Sequence, residues 1–514
     1  MQRIDELTIV GGGTAGWLSA TYLVTFLNML NNNEHPIKIR LIESPNIPTI
    51  GVGESTLPIM PRILQILGID EAEFIKRTNA TFKCAGRFVN WDVDKQGQPV
   101  SFYTPFDGGQ EVMGFHPAHY FNRFGSLNGN SSLVDNVVPN EAIIEAFKGP
   151  RELPMGDYEA AISYSYHIDA GLFAKQLKEI AISRGVEHIV DDVQEVKLDE
   201  QGNVASLQLK EHGNFPVKFV IDCSGFKGLI IRQALGEPYN DYKKYFLCDR
   251  ALPMMVAHKD PKKILPATTA YGQDAGWIWN VPLYNRMGSG YIYSSQFCSD
   301  EQAMDTIMGF MGHPEPLNTP RVISFNVGAT ERTWVKNCLA LGLSSSFVEP
   351  LEATAIAMVD KIVRWFASYY PDTENHPSLA KQVNKLAKRM QEESRDFIFM
   401  HYYLSNREDT PFWRAVKTDV EMPDTLQEKL ELWRHALPTP DSSSGHVMFD
   451  WENYLFALYG KGYFNDVKMP MGESLSLEAW QEYSQFLSGV KKNIVAKMPD
   501  HYELLTSIRL RAQA

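Results

Sequence analysis

Cysteine is scarce and scattered in this chain. Cys84, Cys223, Cys248, Cys298 and Cys338 show no Cys-x-x-Cys spacing, which excludes a disulfide framework and a zinc ribbon and leaves five small buried hydrophobes. Basic charge is also in deficit. The 49 lysines and arginines face 62 aspartates and glutamates, a formal charge of −13, and no basic stretch offsets it, so nucleic-acid binding is excluded. No apolar run is long enough to cross a bilayer, and Met1 leads straight into the first predicted strand, so no membrane span or signal segment is expected and the expected location is the cytoplasm. Internal repeats and low-complexity segments are absent as well. What remains is a chain of 514 residues, 44% hydrophobic and 22% charged, long enough for a large core and two or three domains or one elaborated fold.

The stretch LTIVGGGTAGW, Leu7 to Trp17, organises the rest. Four apolar or β-branched residues run into Gly11, Gly13 and Gly16, and an apolar helical pattern from Trp17 to Leu30 follows: strand, glycine turn, helix. Gly11 suits the tight turn, Gly13 the approach of backbone to a pyrophosphate and Gly16 close packing of helix on strand, which places phosphate at the free N–H groups of a helix N-terminus. A second apolar run, Ile37 to Ile42, ends in Glu43, an acceptor for ribose hydroxyls. The spacing to Glu43 is long for the fingerprint, which an extended first helix and an Asn31-Asn32-Asn33 turn explain. At this level the motif indicates FAD or NAD without separating them.

Further along, IGVGEST at Ile50 to Thr56 reads as a loop against the cofactor or a surface loop, ahead of a helix from Ile59 to Leu67. In TFKCAGRFVNW, Thr81 to Trp91, Lys83 interrupts a strand-like alternation, and taken alone it reads as an edge-strand lysine with its ammonium in water. His116 and His119 lack a third ligand at helical spacing and read as a hydrogen-bonded structural pair, with no metal site. Tyr166 onward reads as an amphipathic helix, and Val193 falls where a further strand would approach the adenine side. Phe219 to Cys223 is a strand that ends in DCSGF. Thr268 to Ser295 is β-rich, with Trp277 and Trp279 on one face of a strand ended by Pro282. NCLALGLSSSFVEPLEATAI, Asn337 to Ile356, reads as strand, turn and helix, with Pro350 in the first helical turn and Glu352 at the helix dipole. Beyond Tyr370 helices are expected at Leu379 to Leu404, Thr425 to His435 and Leu477 to Arg509.

Four of these segments together, GGGTAGW, TFKCAGRFVNW, WIWNVP and FVEPLEATAI, resemble the flavin-dependent halogenases of the tryptophan-halogenase type. The Trp-x-Trp-x-x-Pro element is the most specific; the family form has isoleucine where this chain has Val281. The resemblance implies an α/β, FAD-binding, doubly wound Rossmann-type fold in residues 1–370, with a β-rich insertion, and a mostly helical region in 371–514. It assigns Gly11, Gly13, Thr14, Ala15 and Gly16 to the cofactor, joined by Glu43, Val193, Leu343 and Ile356. It implies that reduced FAD, supplied by a separate NAD(P)H-dependent flavin reductase, oxygen and halide yield a hypohalous acid that halogenates a small aromatic substrate. Lys83 matches the lysine that holds the acid or carries the halogen, and Glu352 the catalytic glutamate. The amides of Thr354 and Ala355 resemble the halide site, and Trp277, Trp279 and Pro282 separate flavin from substrate. A homodimer is part of the same expectation.

Two departures bear on the substrate. Ala353 follows the glutamate where tryptophan-specific members carry serine, Thr104 stands where they present a histidine, and only Phe106 matches an aromatic that sandwiches an indole. The C-terminal stretch DWENYLFALYG, 450 to 460, is expected to complete the pocket without residue-by-residue alignment. Two other classes compete: a single-component flavin hydroxylase, disfavoured because Gly342-Leu343-Ser344 lacks an aspartate for the ribityl chain, and a non-catalytic flavin binder, disfavoured by Lys83 and Glu352 in apolar settings.

Overall fold

A computed structural model of the chain describes residues 3–30, 35–47, 53–128, 132–373, 376–443, 447–465, 467 and 469–512. The Asn31-Asn32-Asn33 turn and the Ile50–Val52 part of the predicted loop lie outside the described residues. At its centre is a six-stranded sheet in the order Trp334–Val335, Cys338–Ala340, Phe219–Asp222, Glu6–Val10, Lys38–Glu43, Glu187–Val190. All pairings are parallel except the first. Leu7 to Val10 are buried without a gap, as a central parallel strand covered on both faces must be. The helix Thr14–Leu23 covers it and packs in turn against helices Ala170–Ser183 and Ala355–Ser368. This is the doubly wound α/β arrangement expected of the glycine turn.

The β-rich part is a seven-stranded sheet in the order Ile323–Ser324, Arg250–Val256, Met287–Tyr293, Gly276–Pro282, Ala267–Gln273, Ala85–Val93, Pro99–Pro105. A three-stranded sheet carries Gly53–Ser55 and Thr81–Lys83 on either side of Ser165–Asp169. That central strand corrects the helix read from Tyr166. Ser165 to Asp169 are all buried, and the helix starts at Ala170 because the Asp169 side chain accepts from the Leu172 amide and caps it.

The C-terminal region is helical, at Pro377–Tyr403, Pro411–Thr418, Asp424–Trp433, Trp451–Gly460, Leu477–Lys497 and His501–Arg511. The single helix read over Leu477 to Arg509 is two, because Pro499 lacks the N–H and the space a continuing helix needs. Buried apolar side chains on both sides of residue 371 belong to one continuous core. The helix Pro377–Tyr403 changes character along its length: Lys381, Lys385 and Lys388 are exposed, whereas every residue from Glu393 to Tyr402 is buried. Its last turn therefore reaches the interior. No helix among the described residues is long and apolar enough to cross a membrane.

Candidate active site

The glycine turn forms one end of a cavity of about 520 Å³. Gly11 has φ +121°, and a Cβ there would sit 2.2 Å from the Cys223 carbonyl oxygen; one on Gly16 would sit 1.9 Å from the Gly11 oxygen. Neither site admits another residue. Among the described residues a Cβ on Gly13 would meet nothing within 4 Å, so this glycine leaves open space where residues 11–15 line the cavity. Glu43 lines the same end, where its Oε2 accepts from Lys178 Nζ at 2.9 Å and stands 2.8 Å from His188 Nε2. Both partners use that one oxygen, which leaves Oε1 for a ribose hydroxyl. Leu343 and Ile356 also line the cavity. The cradle, the helix N-terminus and the carboxylate fit a dinucleotide.

Val193 does not belong to this wall. The strand that extends the parallel sheet beside Glu43 is Glu187–Val190, and the chain leaves that sheet before Val193 opens a strand of a separate three-stranded sheet. Val193 is absent from the cavity lining and packs in a satellite core.

The same cavity is lined by Lys83, Trp277, Trp279, Glu352, Thr354 and Ala355. The expectation of a solvated edge lysine is wrong: Lys83 is 3% exposed. Its ammonium donates to the Thr56 carbonyl at 3.2 Å and lies 5.2 Å from the centre of the Phe106 ring. Burial pulls its pKa down to about 8, against a smaller opposing pull from Glu352. Roughly one molecule in ten then carries a neutral amine at pH 7, against fewer than about one in a thousand for an ordinary lysine.

Glu352 is not in the first turn of the long helix. Pro350–Glu352 form a separate 3₁₀ turn, Ala353 takes the left-handed conformation with φ 56°, and the helix starts at Ala355 with Thr354 as its N-cap. That reversal turns the Glu352 carboxylate inward, 8% exposed, where its Oε1 is 2.9 Å from His401 Nε2. The amides of Thr354 and Ala355 belong to a first turn that lacks carbonyl partners four residues back. The Thr354 side chain makes no capping hydrogen bond there.

Trp277 and Trp279 share one face as expected, with ring centres 6.2 Å apart. Pro282 ends their strand and accepts the Thr81 hydroxyl at 2.6 Å, which ties the tryptophan strand to the strand of Lys83. Thr104 and Phe106 lie outside the cavity lining. Thr104 is buried opposite Gly86, and Phe106 is reached through Lys83. The helix Trp451–Gly460 packs on the strand Pro99–Pro105, which brings the stretch 450–460 to this side. The His119 amide donates to the His116 carbonyl at 3.0 Å, while the two imidazoles have separate partners. His116 caps the helix Pro117–Phe124 by accepting from the Ala118 amide and stands 3.3 Å from Glu452. Among the described residues no cluster of His, Cys, Asp and Glu could hold a metal.

Sequence reasoning missed four residues. His401, wholly buried and stacked on Phe88 at 4.5 Å, reaches Glu352 from the end of a helix whose periodicity carries no sign of the site. Glu54 and Ser55 line the cavity from the strand Gly53–Ser55, where the sequence offers a cofactor loop or a surface loop. Glu349 was visible inside FVEPLEATAI, and two glutamates in four residues of an otherwise apolar segment are a signal in themselves.

A nucleotide cradle that opens toward a desolvated lysine and an inward-turned carboxylate belongs to an oxidoreductase that works with a bound dinucleotide. The chain is a member of the tryptophan halogenase family, which matches residues 6–476, and it is accordingly a flavin-dependent halogenase. It is 33% identical to the tryptophan 7-halogenase RebH of Lentzea aerocolonigenes over 98% of both chains. With the tryptophan 6-halogenase ThaL of Streptomyces albogriseolus it shares 35% identity over 85% of this chain and 83% of that one. A solved structure of the tryptophan C-6 flavin-dependent halogenase (chlorinase) from taromycin biosynthesis superposes with a TM-score of 0.91 at 31% identity, covering 98% of this chain and all of the other.

Proposed function

We propose that the chain halogenates an electron-rich, indole-like aromatic, with reduced FAD delivered by a separate NAD(P)H-dependent flavin reductase. FAD when bound supplies, with oxygen and halide, the hypohalous acid. Gly11, Gly13, Thr14, Ala15 and Gly16 hold its pyrophosphate, Glu43 its ribose, and Leu343 and Ile356 line its ring. The amides of Thr354 and Ala355 take the halide. Lys83 receives the halogen, and its neutral amine fraction is the nucleophile that a haloamine route requires. Glu352 orients the acid and accepts the proton lost from the ring. Trp277, Trp279 and Pro282 wall the flavin from the substrate, and Phe106 stacks on the substrate ring. The observation that carries this reading is the burial of Lys83 beside Glu352 in the wall of a dinucleotide cavity.

The relatives named above act on tryptophan, but Thr104 and Ala353 supply fewer polar partners for an amino-acid head. Small indoles are therefore preferred here, because an unpaired buried group costs about 1 to 3 kcal/mol. Competition between indole and tryptophan, read by mass spectrometry, checks this, and a clear preference for tryptophan contradicts it. The role of Lys83 is tested by halogenated product per flavin oxidised, on a weakly reactive indole. Lys83→Ala should consume reduced flavin and oxygen with almost no product, and Glu352→Gln should lose about 10²-fold in product formation. Wild-type yield from Lys83→Ala would rule the assignment out.

A further inference from the structure

Glu349 is 0% exposed. Trp277 Nε1–H donates to its Oε2 at 3.2 Å, and the Tyr402 hydroxyl donates to the same oxygen. Its Oε1 has no hydrogen-bond partner among the described residues, and no lysine, arginine or histidine there lies within ion-pair distance of it. Burying an uncompensated carboxyl opposes folding, and an apolar residue of the same volume would pack there at lower cost. The placement has a consequence that packing alone lacks. An indole has a single polar atom, and strand alternation puts Trp277 on the cavity face without choosing the rotation of its ring. The bond to Glu349 chooses it. The same carboxyl precedes the turn Pro350–Glu352 and is held from the other side by Tyr402, whose neighbour His401 meets Glu352. Two consecutive residues of one helix thus address two glutamates three apart.

We propose that Glu349 is a positioning residue: it fixes the indole plane of Trp277 and anchors the Glu352 turn to the helix Pro377–Tyr403, and so keeps the wall between flavin and substrate closed. The inference rests on the halogenase reading above. Without the acceptor, the Trp277 ring rotates and oxidant escapes before it reaches the substrate.

The test is a double-mutant cycle of Glu349→Met and Trp277→Phe, with product per flavin oxidised, FAD affinity and the apparent unfolding midpoint measured for each. Glu349→Met should fold with an unchanged or higher midpoint and unchanged FAD affinity, yet lose about 10-fold or more in product per flavin. Glu349→Gln, which keeps an acceptor for the indole, should recover most of that yield. In the Trp277→Phe background Glu349→Met should lose clearly less than it does in wild type, because phenylalanine offers no N–H and only the anchoring through Tyr402 remains to be lost. Multiplicative losses in the double variant, or full yield from Glu349→Met, would overturn the proposal. Should Glu349→Met fail to fold, Glu349→Asp replaces it in the cycle, since it keeps the charge and withdraws the acceptor by one methylene. Hydrogen exchange of the Trp277 indole proton, followed with ¹⁵N-labelled tryptophan, is independent of activity. It should accelerate at least about 10-fold in Glu349→Met; unchanged exchange overturns the proposal even where no halogenated product forms, a result that would itself sink only the halogenase reading.

Discussion

Lys83 carries a charge that its surroundings disfavour. Because burial lowers its folded pKa from 10.5 to about 8, the folded protein binds fewer protons than the unfolded chain between those values. The penalty is complete below about pH 8, amounts to roughly 3 kcal/mol and is relieved as pH rises toward 10.5. Lys83→Met should therefore unfold at higher denaturant than wild type at pH 7, and the gain should shrink steadily above pH 8. A gain that stays constant from pH 7 to 10 would show that the ammonium is not desolvated. That penalty marks a residue kept for chemistry.

At the scale of elements, the turn between the first strand and the first helix separates packing from binding. A Cβ on Gly16 collides with the Gly11 carbonyl, whereas a Cβ on Gly13 stands in open space at an extended ψ of −175° with φ −78°. Gly16→Ala should cost about 1 to 3 kcal/mol of stability through overpacking and lose FAD. Gly13→Ala should unfold at the wild-type midpoint and still bind FAD more weakly, because the added methyl occupies the cofactor's space. Denaturant unfolding and FAD titration of both variants check this; equal loss of stability in the two would refute it. The strand and turn here were legible because glycine spacing is a local steric requirement. The strand Ser165–Asp169 was misread because its pairing with Gly53–Ser55 and Thr81–Lys83 is set by partners roughly a hundred residues away.

The molecule as a whole closes through its C-terminal helix. His501, wholly buried, accepts the Phe82 amide on Nε2 at 3.1 Å while its Nδ1 is 2.9 Å from the Ile264 carbonyl. It thus holds the strand that carries Lys83. Burial drops its pKa from 6.5 to about 4, against a smaller pull from Ile264, so the unfolded chain binds the extra proton first. Stability should fall as pH drops from about 6.5 to 4, by roughly 3 kcal/mol from this group. His501→Gln should flatten that slope in acid unfolding, and an unchanged slope would exclude His501 as its source. At the same scale, the chain shows one dinucleotide fingerprint and no second one for a nicotinamide. Protein with FAD and NADPH should oxidise no NADPH until a reductase is added, as spectrophotometry at 340 nm, roughly the nicotinamide absorption, will show; rapid oxidation without a reductase would favour the single-component hydroxylase.

The glycine turn and the strand and helix around it were decided by the sequence alone, because they obey short-range sterics. The resemblance of four short segments named the chemistry and singled out Lys83 and Glu352. Tertiary structure decided their environment. Lys83 is buried where its ammonium meets the Thr56 carbonyl and the Phe106 ring, in a strand whose Phe82 amide is held by His501. Glu352 turns inward because of a left-handed residue at Ala353, a conformation alanine rarely chooses locally. His401 and Tyr402 meet Glu352 and Glu349 across about fifty residues of chain, and such contacts depend on how a long helix packs its last turn, which periodicity cannot express.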